Sequence, residues 1–324
     1  MACRKILRPI PAIVGPTASG KTALSLALGQ ALDGEIVCCD SMQIYREMDI
    51  GTAKPTPSER AVLPHHMLDF LPPGAPYSAA DYAADALTCI EDILAREKTP
   101  LLCGGTGLYL SSLRRGGAVS ESPPADPALR AELTARGATE EGKDALHAEL
   151  AAIDPAAAAA THKNNLRRVV RALEIYRLSG RTKSEWDALS KEGEEIPILP
   201  FGLRYRDRAL LSSRIEKRVD VMLGEGLIDE VRRLYEAGVL DGQNTASQAI
   251  GYKEIIPYLR GECSLSDARE ALILATRHYA KRQMTWFSAD ESVYWLTVDR
   301  EDGSLRPTAD LAAEALAVCR ERGV

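Results

Sequence analysis

The stretch IPAIVGPTASGKT at residues 10–22 decides the fold of this 324-residue chain. Its first five residues are typical of a buried strand, and residues 21–32 have the pattern of a helix. Between them, residues 15–22 match the pattern G-x-x-x-x-G-K-[ST]. A chance glycine-rich turn is the simpler alternative, but the strand before the pattern and the helix after it favour a loop that binds phosphate.

Each position of this loop has an expected role. Gly15 and Gly20 permit the tight turn, and the amides near the second glycine point into one concavity at a helix N-terminus. Lys21 supplies a cation, Thr22 is expected to hold Mg²⁺, and Thr17 is placed to reach the bridging oxygen of a diphosphate. ATP is the default ligand of such a loop, yet the loop requires only a diphosphate and a metal ion. The residues predicted to bind the phosphates are Gly15, Pro16, Thr17, Ala18, Ser19, Gly20, Lys21 and Thr22.

Two further strand-like runs follow, at residues 36–39 and 101–103, with a helical stretch at 79–96 between them. This alternation predicts an α/β fold with a P-loop NTPase-like parallel sheet. In such a sheet, ligands bind at the carboxyl ends of the strands. Asp40 follows the second run and GGTGLY at 104–109 follows the third, so both are expected near the phosphate loop.

Asp40 admits two interpretations. As a structural residue it caps a turn; as a functional residue it accepts a hydrogen bond from an attacking group and then its proton. We predict Asp40, Thr17 and Lys21 as the catalytic residues, and Thr106 as a donor to phosphate or RNA. The adjacent pair His65–His66 points in two directions and lacks a partner at metal-ligand spacing, so we interpret it as structural.

The amino-acid composition changes near Glu121, where the linker-like Ser122-Pro-Pro124 precedes Ala/Glu/Leu/Arg-rich helical stretches. Strand propensity returns at residues 196–203, and the segments 210–259 and 265–287 have helical patterns. The predicted parts are the first portion of the core at 1–120, an all-helical insertion at 121–195, and the completed core with C-terminal helices at 196–324.

The net charge of −6 argues, taken alone, against a nucleic-acid-binding protein. The bases are unevenly placed, however, and local charge matters more than the total because salt screens distant charges. Residues 161–183 contain one acid, Glu174, among seven bases: Lys163, Arg167, Arg168, Arg171, Arg177, Arg181 and Lys183. A second basic group, diluted by Asp207 and Glu216, consists of Arg204, Arg206, Arg208, Arg214, Lys217 and Arg218.

The seven cysteines form no C-x-x-C pair, which disfavours a disulfide framework or a zinc site. No apolar run reaches the length of a membrane span, and no leader-like segment precedes the glycine-rich loop. We therefore expect a cytoplasmic protein without a membrane partner.

At this point the ordered motifs resemble those of the bacterial tRNA dimethylallyltransferases. The similar segments are GPTASGKT at 15–22, DSMQIY at 40–45, MDIGTAK at 48–54, HHMLD at 65–69, GGTGLY at 104–109, RVVRALE at 168–174, QAIGYK at 248–253 and TRHYAKRQMTWF at 276–287. The chain departs from the family pattern at Lys163, Asn165 and Ser288, which affects details of RNA contact rather than the reaction.

The resemblance implies a reaction and its partners. A dimethylallyl group passes from dimethylallyl diphosphate, held with Mg²⁺ by the loop, to the N6 amine of the adenine 3′ to the anticodon of tRNA. The helical insertion clamps the anticodon stem-loop, and the protein is a monomer. The residues implied in tRNA binding are Asp40, Ser41, Met42, Gln43, Thr106, Arg130, Arg167, Arg168, Val169, Val170, Arg171, Gln248, Ala249, Ile250, Gly251, Tyr252 and Lys253.

Three other functions share parts of this pattern. A prenyltransferase acting on free AMP, ADP or ATP would use the loop and Asp40 but would not need the basic insertion. A P-loop kinase would bind ATP in the loop, and a noncatalytic RNA-binding module would not need an intact Lys21, Thr22 and Asp40. The aromatic residues Tyr279, Trp286 and Phe287 are expected to pack on the core rather than stack on bases.

Overall fold

The computed structural model describes residues 6, 8–116, 123–189, 195–242 and 244–324. By its internal contacts the chain divides into two compact units. The first comprises Met1–Arg114 with Ile196–Val324, and the second comprises Arg115–Glu195. The predicted start of the insertion at Glu121, and Ser122 of the predicted break, lie outside the described residues.

The first unit is built on a parallel sheet. Its described strands are β1 at Ile10–Val14, β2 at Gly34–Cys38, β3 at His65–His66, β4 at Thr99–Cys103, β5 at Ile198–Arg204 and β6 at Tyr294–Thr297. They follow the order β3-β2-β4-β1-β5-β6 in the sheet. This arrangement confirms the predicted α/β class with a P-loop-like core. β5 follows the second unit in the chain yet pairs with every residue of β1, so the insertion interrupts the core without breaking the sheet.

Helices cover both faces of this sheet, and other helices of the first unit pack beside it. In the described residues, the helices of this unit are α1 at Lys21–Ala31, α2 at Pro57–Arg60, α3 at Ala79–Ala95, α4 at Gly107–Arg114, α10 at Arg208–Gly224, α11 at Leu227–Glu236, α12 at Ile256–Leu259, α13 at Leu265–Ser288 and α14 at Thr308–Glu321. Successive strand residues point to opposite faces. Thus Ile13 packs with α1 and α14, whereas Ala12 packs with α3 and α4.

The long helical pattern predicted at 210–259 is wrong as one element. Gly226 has a φ of 102°, a left-handed conformation that ends the helical path, and α10 and α11 lie on either side of it. Beyond α11 the chain continues as turns with a 3-10 helix at Ala246–Gln248. Leu227, Val231 and Leu234 of α11 pack with Ile44 and Met48 in a third apolar cluster beside the sheet.

The second unit consists of helices in its described part, as predicted for the insertion. They are α5 at Pro127–Arg136, α6 at Glu140–Ile153, α7 at Pro155–Ala159, α8 at Leu166–Ser179 and α9 at Lys183–Leu189. Leu133, Leu146, Leu150 and Leu173 form its own apolar core. Throughout the described ranges, we find no helix with the length and apolar character needed to cross a membrane.

Candidate active site

A cleft of about 690 Å³ in the first unit joins the loop before α1, the carboxyl ends of β2 and β4, and one face each of α10 and α13. The position at the strand ends is the one predicted for ligands of a parallel sheet. The predicted site residues that line it are Thr17, Ala18, Ser19, Gly20, Lys21, Thr22, Asp40, Ser41, Met42, Gln43, Gln248, Ala249, Ile250 and Lys253.

The loop between β1 and α1 has the backbone that a phosphate cradle requires. Gly15 has a φ of 133°, and a Cβ added there would lie 3.0 Å from the carbonyl oxygen of Leu203 in β5. Gly20 has a φ of 97°, and Ala18 adopts a φ of 61°, which is uncommon for a residue with a side chain. The loop therefore holds local backbone strain at the point where ligand binding is expected.

Lys21, the first residue of α1, folds back over this loop. Its Nζ donates to the carbonyl oxygen of Pro16 at 2.8 Å. Burial lowers the pKa of Lys21 to about 8, and nearby Arg218 lowers it further, whereas Cys103 and Asp40 act in the opposite direction. The side chain is thus a cation at neutral pH, but one that a bound anion would stabilise.

Asp40 lies two residues beyond β2 and combines both roles that the sequence left open. Its Oδ1 accepts the N–H of Met42 at 2.9 Å, which is a turn cap. Within the described part of the chain, Oδ2 has no hydrogen-bond partner, and the residue is half-buried in the cleft wall. One oxygen therefore fixes the carboxylate while the other remains able to accept a proton.

Two arginines of α10, which lies about 200 residues further along the chain, reach the loop. Arg214 Nε donates to the carbonyl oxygen of Ala18 at 2.9 Å, and Arg218 Nη1 lies 3.4 Å from Thr17 Oγ1. Burial lowers the pKa of Arg218, and the negative charge of Asp40 opposes that effect. Sequence reasoning assigned both to a diluted basic group; the spacing of four residues, which places them on one helix face, was the available signal.

Gln283 of α13 is a further residue that the sequence prediction missed. It is 5% exposed. Its Oε1 accepts the backbone N–H of Thr17 at 2.8 Å, and its Nε2 donates to the carbonyl oxygen of Gly105 at 3.0 Å. The side chain joins the phosphate loop to the turn after β4. At that turn, a Cβ on Gly104 would meet the carbonyl oxygen of Cys39 at 2.0 Å, so only glycine fits.

Thr106 acts on the turn that carries Asp40. Its Oγ1 accepts the backbone N–H of Ser41 at 3.0 Å and lies 3.3 Å from the hydroxyl of Ser41. Gly15, Pro16 and Thr106 are not among the residues that line the cleft, and they support it from behind. The hydroxyl of Thr106 is thus engaged within the protein, and its predicted donation to phosphate or RNA stays a prediction.

The expectation that the aromatic residues of α13 all pack on the core is correct for one of them. Phe287 is buried at 1% exposure, but Trp286 is exposed. Tyr279 lines the cleft, where burial raises the pKa of its hydroxyl and the charge of Asp40 raises it further. α13 therefore supplies both core and cleft wall.

Two positions of the motif at residues 248–253 are buried. Tyr252 is fully buried and donates its hydroxyl to Glu230 Oε1 at 2.7 Å. Gly251 is buried too, with a φ of 102°. The contact with RNA that the resemblance implies for these two residues stays a prediction. Ala249 is buried although it lines the cleft, while Gln248 and Lys253 are exposed there.

In the second unit, Val169 and Val170 are buried in its apolar core, and their implied contact with RNA stays a prediction. Arg130 and Arg171 are also bound internally. Both pair with the buried carboxylate of Glu174, at 2.6 and 2.7 Å. Their charges are therefore engaged inside the unit, and their implied part in tRNA binding stays a prediction.

The basic residues that face solvent in the same helix are Arg167 and Arg168, at the start of α8. Their role as RNA contacts stays a prediction. Unlike Arg130 and Arg171, they can meet a phosphate without giving up a buried ion pair.

The described residues contain no group of three or more His, Cys, Asp or Glu side chains that could hold a metal ion by themselves. Mg²⁺ does not require one, because it is commonly held by one or two protein oxygens and by substrate phosphates. Thr22, the residue predicted to hold the ion, lines the cleft and has a hydroxyl oxygen of this kind.

The chain matches the family model described as IPP transferase over residues 43–290, and the model described as isopentenyl transferase over residues 9–69. It is 46% identical over 295 residues to a tRNA dimethylallyltransferase of Methylococcus capsulatus, covering 90% of this chain and 92% of that protein. A tRNA dimethylallyltransferase of Bacillus velezensis is 48% identical over 288 residues, with coverage of 89% and 90%.

Two solved structures are similar over most of the chain. The tRNA isopentenylpyrophosphate transferase of Bacillus halodurans has a TM-score of 0.68 and 40% identity, covering 98% of each chain. A eukaryotic dimethylallyltransferase acting on tRNA has a TM-score of 0.75 and 30% identity, covering 90% of this chain and 74% of that one.

Proposed function

This chain belongs to the IPP transferase family, and we propose that it is the enzyme that its relatives' names describe, a prenyltransferase that moves a dimethylallyl group onto tRNA. In finer terms, the donor is dimethylallyl diphosphate and the acceptor is the N6 amine of the adenine 3′ to the anticodon. One observation carries the proposal. The cleft combines a phosphate loop with a carboxylate, Asp40, that keeps one oxygen for a proton.

The enzyme must act on both groups at the reacting carbon, the attacking amine and the leaving diphosphate. The adenine amine is a weak nucleophile because its lone pair is delocalised into the ring. The donor compensates, since its allylic C–O bond breaks with carbocation character as diphosphate leaves. The new C–N bond forms at the same carbon, so the enzyme must hold the amine in line and stabilise the departing charge.

The phosphate loop and α10 supply the stabilising charge. Lys21 lies inside the loop, and Arg218 lies 3.4 Å from the hydroxyl of Thr17. These cations and the loop amides are fixed before the donor binds, so they oppose the charge of the leaving diphosphate without first having to rearrange. Gln283 holds the loop in this shape through the backbone N–H of Thr17.

Asp40 serves the acceptor. The free Oδ2 accepts a hydrogen bond from the adenine amine and takes its proton when the C–N bond forms, while Oδ1 stays bonded to Met42. The carboxylate keeps its orientation because its turn is held by the hydroxyl of Thr106.

Mg²⁺ belongs to the proposal as a cofactor. The hydroxyl of Thr22, at the start of α1 in the cleft wall, would hold the ion together with oxygens of the donor's phosphates. When bound, the ion neutralises charge on the leaving diphosphate.

For tRNA, the proposal requires the target base to leave its stack and enter the cleft. Anticodon loops are single-stranded, and their bases can be splayed out and read in this way. Arg167 and Arg168 are exposed and suited to the RNA backbone, and Gln248 and Lys253 are exposed at the cleft. We also propose that the enzyme works as a cytoplasmic monomer.

A transfer assay tests this function against its competitors. The protein is incubated with labelled dimethylallyl diphosphate, Mg²⁺ and either unmodified tRNA or free adenine nucleotides, and a parallel reaction contains labelled ATP. We expect label in tRNA alone. Label in AMP, ADP or ATP would indicate a nucleotide prenyltransferase, phosphoryl transfer from ATP a kinase, and binding of tRNA without transfer a noncatalytic module.

A further inference from the structure

One buried carboxylate binds two of the sequence motifs, the loop MDIGTAK at 48–54 and the segment QAIGYK at 248–253. Glu230 of α11 is 7% exposed. Its Oε2 accepts the backbone N–H groups of Asp49 and Ile50, each at 2.9 Å. Its Oε1 accepts the N–H of Gly51 at 3.0 Å and the hydroxyl of Tyr252 at 2.7 Å. Four donors thus converge on a single side chain.

The backbone of residues 47–53 would not hold this shape by local preference. Glu47 and Ala53 have φ values of 62° and 49°, which are uncommon for residues with side chains. At Gly51, an added Cβ would lie 2.5 Å from the ring of Tyr252, so the backbone packs directly on that ring. Strained loops of this kind persist only where the surroundings fix them, and here Glu230 and Tyr252 do so.

The loop at residues 47–53 in turn binds Gln43, which lines the cleft three residues after Asp40. The Nε2 of Gln43 donates to the carbonyl oxygens of Thr52 at 3.0 Å and Ala53 at 3.1 Å. Both N–H groups of the amide are therefore used. Its Oε1 accepts a weak bond from the thiol of Cys38 at 3.4 Å and keeps capacity as an acceptor.

From this chain of contacts we propose that Glu230 is a positioning residue for the acceptor side of the cleft. The carboxylate fixes residues 49–53, and their carbonyl groups fix the amide of Gln43 with its oxygen available to an N–H donor of the incoming nucleobase. The diphosphate side depends on other residues, Lys21, Arg218 and Gln283. Losing the carboxylate therefore weakens RNA recognition and leaves the donor site in place. This inference rests on the proposed function.

The test substitutes Glu230→Gln, which keeps the size of the side chain but replaces one acceptor oxygen by an NH₂ that faces N–H or O–H donors. Steady-state kinetics are measured with dimethylallyl diphosphate and an anticodon stem-loop RNA. We expect the KM for RNA to rise about tenfold or more, as for loss of hydrogen bonds to a charged group. The KM for the donor should change less than about twofold, because no bond of Glu230 reaches the phosphate loop.

Two further variants make the outcome decisive. Tyr252→Phe removes one hydrogen bond but keeps the ring against Gly51, so the KM for RNA should rise by a smaller factor, again with the donor KM unchanged. This variant decides the matter if Glu230→Gln does not fold. Glu236→Gln makes the same chemical change at an exposed position of the same helix, and it should match the wild type.

A merely structural role would lower the melting temperature and the active fraction, and so reduce kcat without separating the two KM values. That result, or an RNA KM that stays unchanged in a folded Glu230→Gln or Tyr252→Phe, overturns the proposal. If the wild type itself transfers no label to tRNA, the proposed function fails instead, so the two failures are distinguishable.

Discussion

The two carboxylate oxygens of Asp40 have different roles, one in fixing the turn and one in the proposed chemistry. Oδ1 accepts the N–H of Met42, and Oδ2 has no hydrogen-bond partner among the described residues and is available to the cleft. Lys21 is similarly dual, because its ammonium closes the loop on the carbonyl oxygen of Pro16 and also offers charge to a ligand. At the scale of single residues, each of these side chains is fixed in position by a hydrogen bond within the protein and still has an atom or a charge available to a ligand.

This division of roles makes Asp40→Asn an informative substitution. Asparagine keeps an oxygen for the N–H of Met42 but cannot take up a proton as a carboxylate does. We expect turnover to fall by ~10²-fold or more, a typical general-base effect, with tRNA binding and melting temperature nearly unchanged. Single-turnover transfer and a binding titration measure the two quantities. Normal turnover would remove Asp40 from the chemistry.

The lowered pKa of Lys21 predicts that kcat/KM for the prenyl donor depends on pH. Burial lowers its pKa to about 8, so the free enzyme loses this cation as the pH rises through about 8. Because kcat/KM reports groups of the free enzyme, kcat/KM for dimethylallyl diphosphate should fall above that pH. Lys21→Arg should show lower activity without the fall, since arginine stays charged. The same fall in both proteins would assign it to another group.

At the scale of elements, the sequence was most informative where a local pattern sets the structure. The run at Ile10–Val14 and the glycine-rich loop predicted β1, α1 and the cleft between them, because strand, turn and helix N-terminus are contiguous. β3, with two residues, has no pattern of its own and exists because Val37 of β2 pairs with His66. Arg218 and Gln283 were missed as site residues because tertiary packing alone brings them to the loop, from about 200 positions away or more.

The short strand β3 depends on an ion cluster that gives a second pH prediction. Glu35 of β2 binds His66 Nε2 at 2.7 Å and Arg96 Nη2 at 2.9 Å. The hydrogen bonds from Arg96 are the main cause that lowers the pKa of Glu35 from 4.5 to about 2, and burial opposes them. A group with a depressed folded pKa stabilises the protein above its unfolded pKa and loses that contribution as the pH falls toward the folded value.

We therefore expect Glu35→Gln to melt at a lower temperature than the wild type above about pH 4.5, and the difference to shrink as the pH falls toward about 2. Thermal melting across this range measures it, with the exposed Glu321→Gln as the control. A difference that stays constant with pH would show that the ionised carboxylate is not the source of the stability.

In α8, the exposed and the internally paired arginines should behave differently. Arg167→Ala combined with Arg168→Ala should weaken tRNA binding. The slope of log K against log salt should become shallower by about 0.7 to 0.9 for each lost phosphate contact. Arg171→Ala removes a partner of the buried Glu174 and should chiefly lower the melting temperature. An unchanged slope in the double variant would place the RNA contact elsewhere.

At the scale of the whole molecule, the ordered motifs predicted the family because they extend over most of the chain, and the matches over residues 9–69 and 43–290 agree with that. The motifs alone could not distinguish residues that contact a ligand from residues that support the fold. Val169, Val170, Gly251 and Tyr252 belong to matching segments, yet they are buried. A shared motif preserves the scaffold along with the site, and burial becomes visible only when the chain is folded.

The central claim is that the loop at residues 15–22 holds the diphosphate of a prenyl donor while Asp40 presents the acceptor amine to its allylic carbon. A crystal structure with an unreactive dimethylallyl diphosphate analogue, Mg²⁺ and an anticodon stem-loop tests both parts at once. We predict the diphosphate on the amides around Lys21, and the adenine N6 within about 2.6–3.2 Å of a carboxylate oxygen of Asp40. An empty loop, or an Asp40 that points away from the adenine, would contradict the account.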